Sequence, residues 1–210
     1  MTVTLGQLVR FVELFAARLA AEKEYLTTLD SAIGDADHGI NMDRGFQAVT
    51  AKLPELASGT PGGLLKGVGM TLISTVGGAS GPLYGTFFLR AGTALGETTE
   101  VSPEQLVGAL RAGLEGVVQR GKANLEDKTM VDAMSPAVAV LEDAPEGRWP
   151  AVLADAAIAA AAGRDHVTPL VARKGRASYL GERAAGHQDP GATSTTFLFE
   201  ALRDALQSGA

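Results

Sequence analysis

Residues 30 to 39, DSAIGDADHG, bring Asp30, Asp35 and Asp37 together beside His38, with Gly34 and Gly39 as punctuation. Carboxylates this close repel one another unless something positive sits between them. Glycine permits positive φ, so the stretch can fold back and aim the three acids at one point. An oxygen-only donor set suits a hard cation, and magnesium takes carboxylates together with waters and phosphate oxygens. A calcium loop opened at Asp35 is ruled out by spacing, because Gly39 stands where a third acid is wanted and Phe46 where the bidentate glutamate belongs. Zinc wants softer donors than three scattered histidines, His38, His166 and His187, and no cysteine. The competing reading is plain helix capping, a common task for a single Asp.

Two further stretches pair with the acids. STVGGASGPLYGT (74–86) is a glycine-rich turn between apolar helical segments. It can offer backbone N–H groups and a helix N-terminus, after Ser80 and Gly81, to a phosphate. Close packing of helices through small residues explains it equally well. No Walker A pattern occurs, since GKA (121–123) has alanine where the magnesium-binding hydroxyl belongs. ARKGRASYLGERAAGHQDPGATS (172–194) gathers Arg173, Lys174, Arg176 and Arg183, then a turn at Asp189, Pro190 and Gly191. Guanidinium groups bind phosphate bidentately, so this segment can close over a phosphate chain; a solvated basic loop is the alternative. His187 reads as a loop hydrogen-bonder. Acids, glycine turn and arginine loop together describe a nucleotide site without a P-loop. Two Mg²⁺ (about +4), three aspartates (about −3) and ADP (about −3) leave roughly −2 for arginines to offset.

The elements that must position these residues read as helices. Thr4 and Gln7 form a capping box before Leu5, Leu8, Val12, Phe15 and Leu19, an apolar stripe that carries the first helix towards Asp30. Ser102, Pro103 and Gln105 start another, continued by Leu106, Leu110, Leu114 and Val117. The alanine-rich run 151–163 ends at Gly163, a residue suited to a C-cap. Further helices are predicted near 41–57, 62–76, 81–96, 131–144 and 192–207, eight in all, with EDAPEGRWP (142–150) as a loop. No sustained period-two alternation occurs, so the expected fold is all-α, one domain over 1–210 with antiparallel helices.

Composition agrees with a folded domain, 46% apolar and 20% charged. A net charge of −6 argues against nucleic acid as a partner. No cysteine means no disulfide and no thiolate metal site. The N-terminus lacks a signal-peptide pattern, and the most apolar window is broken by GGASGPLYG, so no membrane span is expected and the chain reads as soluble and cytoplasmic.

IGDADHGINMDRGF, GGASGPLYGTFF, RGKANLEDKTM and ARKGRASYLGERAAGHQDPGATS together resemble the ADP-binding subunits (subunit L) of dihydroxyacetone kinases, over nearly the whole chain. One departure is Glu126, where that family more often has glycine before the aspartate. The resemblance implies an eight-helix antiparallel barrel with the nucleotide at one end. It implies two Mg²⁺ held by Asp30, Asp35 and Asp37. Nucleotide contacts would fall on His38, Gly39, Ile40 and Asn41, on Ala79 and Ser80, on Gly121 and Met130, on Arg176, and on Asp189, Pro190 and Gly191. Arg176 would neutralise charge on the transferring phosphoryl group. The implied partners are a phosphohistidine donor subunit M of the phosphotransferase system and a dihydroxyacetone-holding subunit K, with bound ADP cycling through ATP. Two alternatives stay open: an ATP-exchanging kinase subunit with another acceptor, and a nucleotide-loaded module that binds a transcription regulator.

Overall fold

The computed structural model describes residues 2–144 and 148–207. Among them are nine α-helices: α1 (Leu5–Ala21), α2 (Lys23–Ile33), α3 (His38–Leu56), α4 (Pro61–Thr75), α5 (Ser80–Leu95), α6 (Pro103–Gly121), α7 (Met130–Glu142), α8 (Trp149–Val167) and α9 (Pro190–Gln207). A 3-10 segment, Arg176–Ala184, lies between the last two. The only extended pairing among the described residues is an isolated bridge between Val3 and Val101. The all-α expectation holds, and both predicted capping boxes, Thr4 with Gln7 and Ser102 with Gln105, are formed.

Three boundaries differ from expectation. The first helix divides at Glu22, whose φ of −101° and ψ of 12° leave the helical region; the apolar stripe is interrupted there by Glu22 and Lys23 and resumes at the buried Leu26. Gly163 does not end α8 but lies inside it, where an added Cβ would collide with the Asp132 carbonyl of α7. The glycine is there for close approach of two helices rather than for a left-handed cap. Residues 189–191 are not a free turn: Pro190 opens α9, and Asp189 caps it, accepting from the Ala192 N–H at 2.7 Å. Of the loop expected at 142–150, Glu142 still closes α7 and Trp149 opens α8, while 145–147 lie outside the described residues.

Neighbour contacts run α1–α3–α4–α5–α6–α7–α8–α9 and back to α1, which closes a ring; α2 lies against α3 and α9, prolonging the place of α1. The inside is filled by aromatic rings. Phe15 and Phe46 meet edge to face at 4.8 Å between centroids, and Phe87 and Phe88 at 5.2 Å. Short links force neighbouring helices to reverse direction. The links after α2, α4, α6 and α8 therefore share one end of the ring, and each of the sequence clusters singled out for chemistry sits on one of them. No helix among the described residues is long and apolar enough to cross a membrane.

Candidate functional site

That end carries a cleft of about 480 Å³, lined from all four links. The helices that begin there, α3, α5, α7 and α9, contribute their first residues, His38, Ser80, Met130 and Pro190, to its wall. The positive ends of four helix dipoles thus border one space, which favours an anion.

The first link, 34–37, is the acid loop. Asp30 projects from the last turn of α2 and is buried; its Oδ2 accepts from the N–H groups of Asp37 (2.7 Å) and His38 (3.0 Å). One carboxylate therefore both caps α3 and anchors the loop, so capping and the cation reading are not exclusive. The positive φ expected of the glycines falls instead on Ala36, at 60°. A left-handed Ala costs about 1 kcal/mol, and such strain gathers where geometry serves a site. Gly34 is needed for a different reason: an added Cβ would collide with Asp30 Oδ1. The result brings one oxygen from each of Asp30, Asp35 and Asp37 within 4.8 Å of the others. These donors are all hard oxygens and only Asp30 is buried, so the trio fits a divalent cation that keeps water or phosphate oxygens in its coordination shell.

The second link, 76–79, turns at Gly78 (φ 65°) and delivers Ala79 and Ser80 to the cleft. The packing reading of this stretch holds at Gly85, which lets α5 close on the Gly69 carbonyl of α4. His38 fixes Ser80: its Nδ1 lies 2.9 Å from Ser80 Oγ and its Nε2 2.9 Å from Ser194 Oγ. Burial lowers the His38 pKa to about 4 against the pull of Asp30 and Asp37, so the ring is neutral at pH 7. Tyr84 continues the network, with its hydroxyl 2.7 Å from Ser194 Oγ and 3.0 Å from Thr195 Oγ1. Three helices, α3, α5 and α9, are thereby locked at the cleft.

The third link supplies the apolar side. Gly121 ends α6, and Met130, buried at the start of α7, lies across from it, with Leu83 and Val117 nearby. This wall suits a planar base. The fourth link closes the opposite rim. Arg176 reaches Asp35 at 2.8 Å, and Lys174 also lines the cleft. Arg173 and Arg183 do not line it, so only two of the four cations in that sequence run face the site. Asp189, half-buried in the floor, has its carboxyl pushed up to about 7 by burial, with the Ala192 N–H opposing.

Placement of the expected contacts is therefore uneven. Asp30, Asp35, Asp37, His38, Ala79, Ser80, Gly121, Met130, Arg176, Asp189, Pro190 and Gly191 line one cleft. Gly39, Ile40 and Asn41 do not line it. Gly39 packs on the Lys23 carbonyl, where a Cβ would collide; Ile40 is exposed; Asn41 is buried and accepts from Arg44 at 2.8 Å. His187 is exposed and outside the cleft, as expected of a loop residue. Sequence reasoning missed Tyr84, Ser194, Lys128 and Arg120. Only the run Thr193–Thr196 left a trace, as four consecutive polar residues that go round most of a helix turn and are all buried.

Comparison with known proteins places this geometry. The DAK2 domain model matches residues 32–204. The ADP-binding subunit DhaL of the PEP-dependent dihydroxyacetone kinase of Escherichia coli is 48% identical over 205 residues, covering 96% of this chain and 97% of its own. The ADP-binding subunit DhaL of the PTS-dependent enzyme of Lactococcus lactis is 40% identical, covering 97% and 99%. Among solved structures, the dihydroxyacetone kinase of C. freundii in complex with AMP-PNP and Mg²⁺ superimposes with a TM-score of 0.75 at 29% identity, over 97% of this chain and 34% of that one. Match length, identity and helical architecture agree: this chain belongs to the DAK2 domain family.

Proposed function

We propose that this chain is the ADP-binding subunit of a dihydroxyacetone kinase that works with separate partner chains. A phosphohistidine on a donor subunit M would pass its phosphoryl group to bound ADP, giving ATP and free histidine. ATP would then hand the same group to dihydroxyacetone held on a subunit K, giving dihydroxyacetone phosphate and restoring ADP. The observation that carries this reading is the convergence of the acid trio, Arg176 and four helix N-termini on one cleft with an apolar wall. The relatives named as ADP-binding subunits, and the related enzyme solved with AMP-PNP and Mg²⁺, support it.

Asp30, Asp35 and Asp37 would hold the magnesium, two ions in this reading, whose charge screens the phosphate oxygens. Ser80, the N–H groups at the start of α5 and the Gly191 N–H of α9 would cradle the phosphates, and Met130 with Gly121 would take the adenine. Arg176 would leave Asp35 for the transferring phosphoryl group, where a fixed guanidinium offsets developing charge. The test is to purify the protein in magnesium, remove free nucleotide by gel filtration, denature it and count what is released. About one ADP per chain supports a retained cofactor. An empty protein that also fails to bind added ADP refutes the site, and an empty protein that binds ATP readily points to an exchanging kinase.

A further inference from the structure

Lys128, in the link between α6 and α7, is only 1% exposed. Its ammonium donates to three main-chain carbonyls: Thr168 at 2.8 Å, Leu170 at 3.0 Å and Ala184 at 2.6 Å. An ammonium has three donors, and all three are used. The first two acceptors lie at the start of the link between α8 and α9, and the third ends its 3-10 segment. A single cation thus joins both feet of the arc that carries Lys174 and Arg176 over the cleft. Two backbone bonds stitch the same base, Arg173 N–H to the Asp127 carbonyl at 3.0 Å and Gly186 N–H to the Thr168 carbonyl at 2.9 Å.

Burying a charge this way is costly unless every donor is met, and an apolar side chain would fill the volume without that cost. The backbone is strained to achieve it, with Glu126 at φ 66° and Lys128 at φ 64°. Helix formation does not call for this arrangement, since α7 has its own cap in Thr129. The convergence of three carbonyls on one ammonium makes sense as a fastening for the arc.

We infer that Lys128 is a positioning residue: it pins the 168–186 arc so that Arg176 stands over the acid trio, and it thereby sets how long a nucleotide stays bound. The second half rests on the nucleotide reading above; the first does not. The test uses the whole protein and the substitution Lys128→Met, which keeps the stem and removes the donors. Trypsin cleavage within the arc and exchange of the Arg173 and Gly186 amides are expected to accelerate at least tenfold, with α5 amides unchanged. A fluorescent ADP analogue, chased with ADP in magnesium, is expected to leave at least tenfold faster, and Lys128→Arg to restore part of both effects. Unchanged arc protection in a folded K128M overturns the inference, as does faster nucleotide release with the arc still protected. Should K128M fail to fold, K128R and K128Q are expected to rank wild type, Arg, Gln in arc protection, and no ranking overturns it equally. If the wild type binds no analogue, the nucleotide reading fails while the protease and exchange results still decide the role of Lys128.

Discussion

Replacing Asp30 in two ways separates its structural task from its charge. Asp30→Ala strips the acceptor from the Asp37 and His38 N–H groups, bonds of 2.7 and 3.0 Å. Charge-assisted hydrogen bonds of this kind contribute about 1.5–3 kcal/mol each, so losing both costs about 3 kcal/mol or more, roughly 6–12 °C in Tm for a chain of this size, before any relief of charge repulsion is counted. Asp30→Asn keeps an oxygen for those donors and removes only the charge. Three carboxylates within 4.8 Å repel by about 0.9 kcal/mol per pair in bulk water and about 3.5 kcal/mol at an effective dielectric near 20. Removing the charge of Asp30 relieves two such pairs, about 2–7 kcal/mol, against about 2 kcal/mol for hydrogen bonds made neutral. D30N is therefore expected to be at least as stable as wild type in EDTA, and D30A, which gains the same relief but loses both hydrogen bonds outright, less stable than D30N by about 1 kcal/mol or more. Added magnesium should stabilise wild type, by about 2.7 kcal/mol at a hundredfold excess over its Kd, and leave D30N unmoved. Urea denaturation of the three proteins with and without magnesium reads all of these differences. If D30N falls as far as D30A in EDTA, or keeps the full magnesium effect, the acids are loop architecture and not a cation site.

Asp189 gives a pH signature. Its folded pKa, near 7, lies above the unfolded carboxylate range, so the folded state holds a proton that the unfolded state has lost. Its stabilising contribution is complete below about pH 4 and is lost as pH rises through 7. Allowing for the solvent that reaches this half-buried group, nucleotide-free wild type should lose on the order of 2 kcal/mol of it, and Asp189→Asn should abolish that part of the slope in urea melts at pH 5.5 and 8.5. Equal slopes refute it. Glu126→Gly relieves a left-handed residue and gives up an exposed contact with His166 at 3.4 Å, so a gain of up to about 1 kcal/mol is expected in the denaturation midpoint. Arg176→Gln should lower kcat of the assembled phosphoryl-transfer reaction on the order of 100-fold or more while changing ADP affinity far less, as a ratio of kcat to Kd effects will show. The purified chain given only ATP and dihydroxyacetone should produce no dihydroxyacetone phosphate by coupled assay, and turnover without partners would contradict the division of labour proposed above.

Much of the fold was legible because its signals are local. Thr4 with Gln7 and Ser102 with Gln105 mark helix starts through hydrogen bonds that span three residues, and the stripe from Leu5 to Leu19 identifies the face that α1 buries. The acid trio was legible for a similar reason, since three aspartates within eight residues, with Gly34 among them, mark a turn that can fold them onto one point. Gly163 and Asp189 were misread because their roles depend on partners the sequence does not place beside them. A glycine that admits a neighbouring helix looks like one that ends its own, and an N-cap followed by proline and glycine looks like a turn.

By itself, then, the sequence determined the helices, their short links and the clusters of acid, glycine and arginine. Short links also determined that alternate connections share an end. Only the tertiary structure decided which residues of those clusters meet. It turned Lys174 and Arg176 towards the cleft and left Arg173 and Arg183 off it. It joined His38 to Ser194 across 156 positions of chain, and it buried Lys128 beneath an arc that starts 40 residues later. Contacts of that range follow from closing the ring, where one rotation of a helix sets every side chain it presents, and no local pattern encodes that rotation.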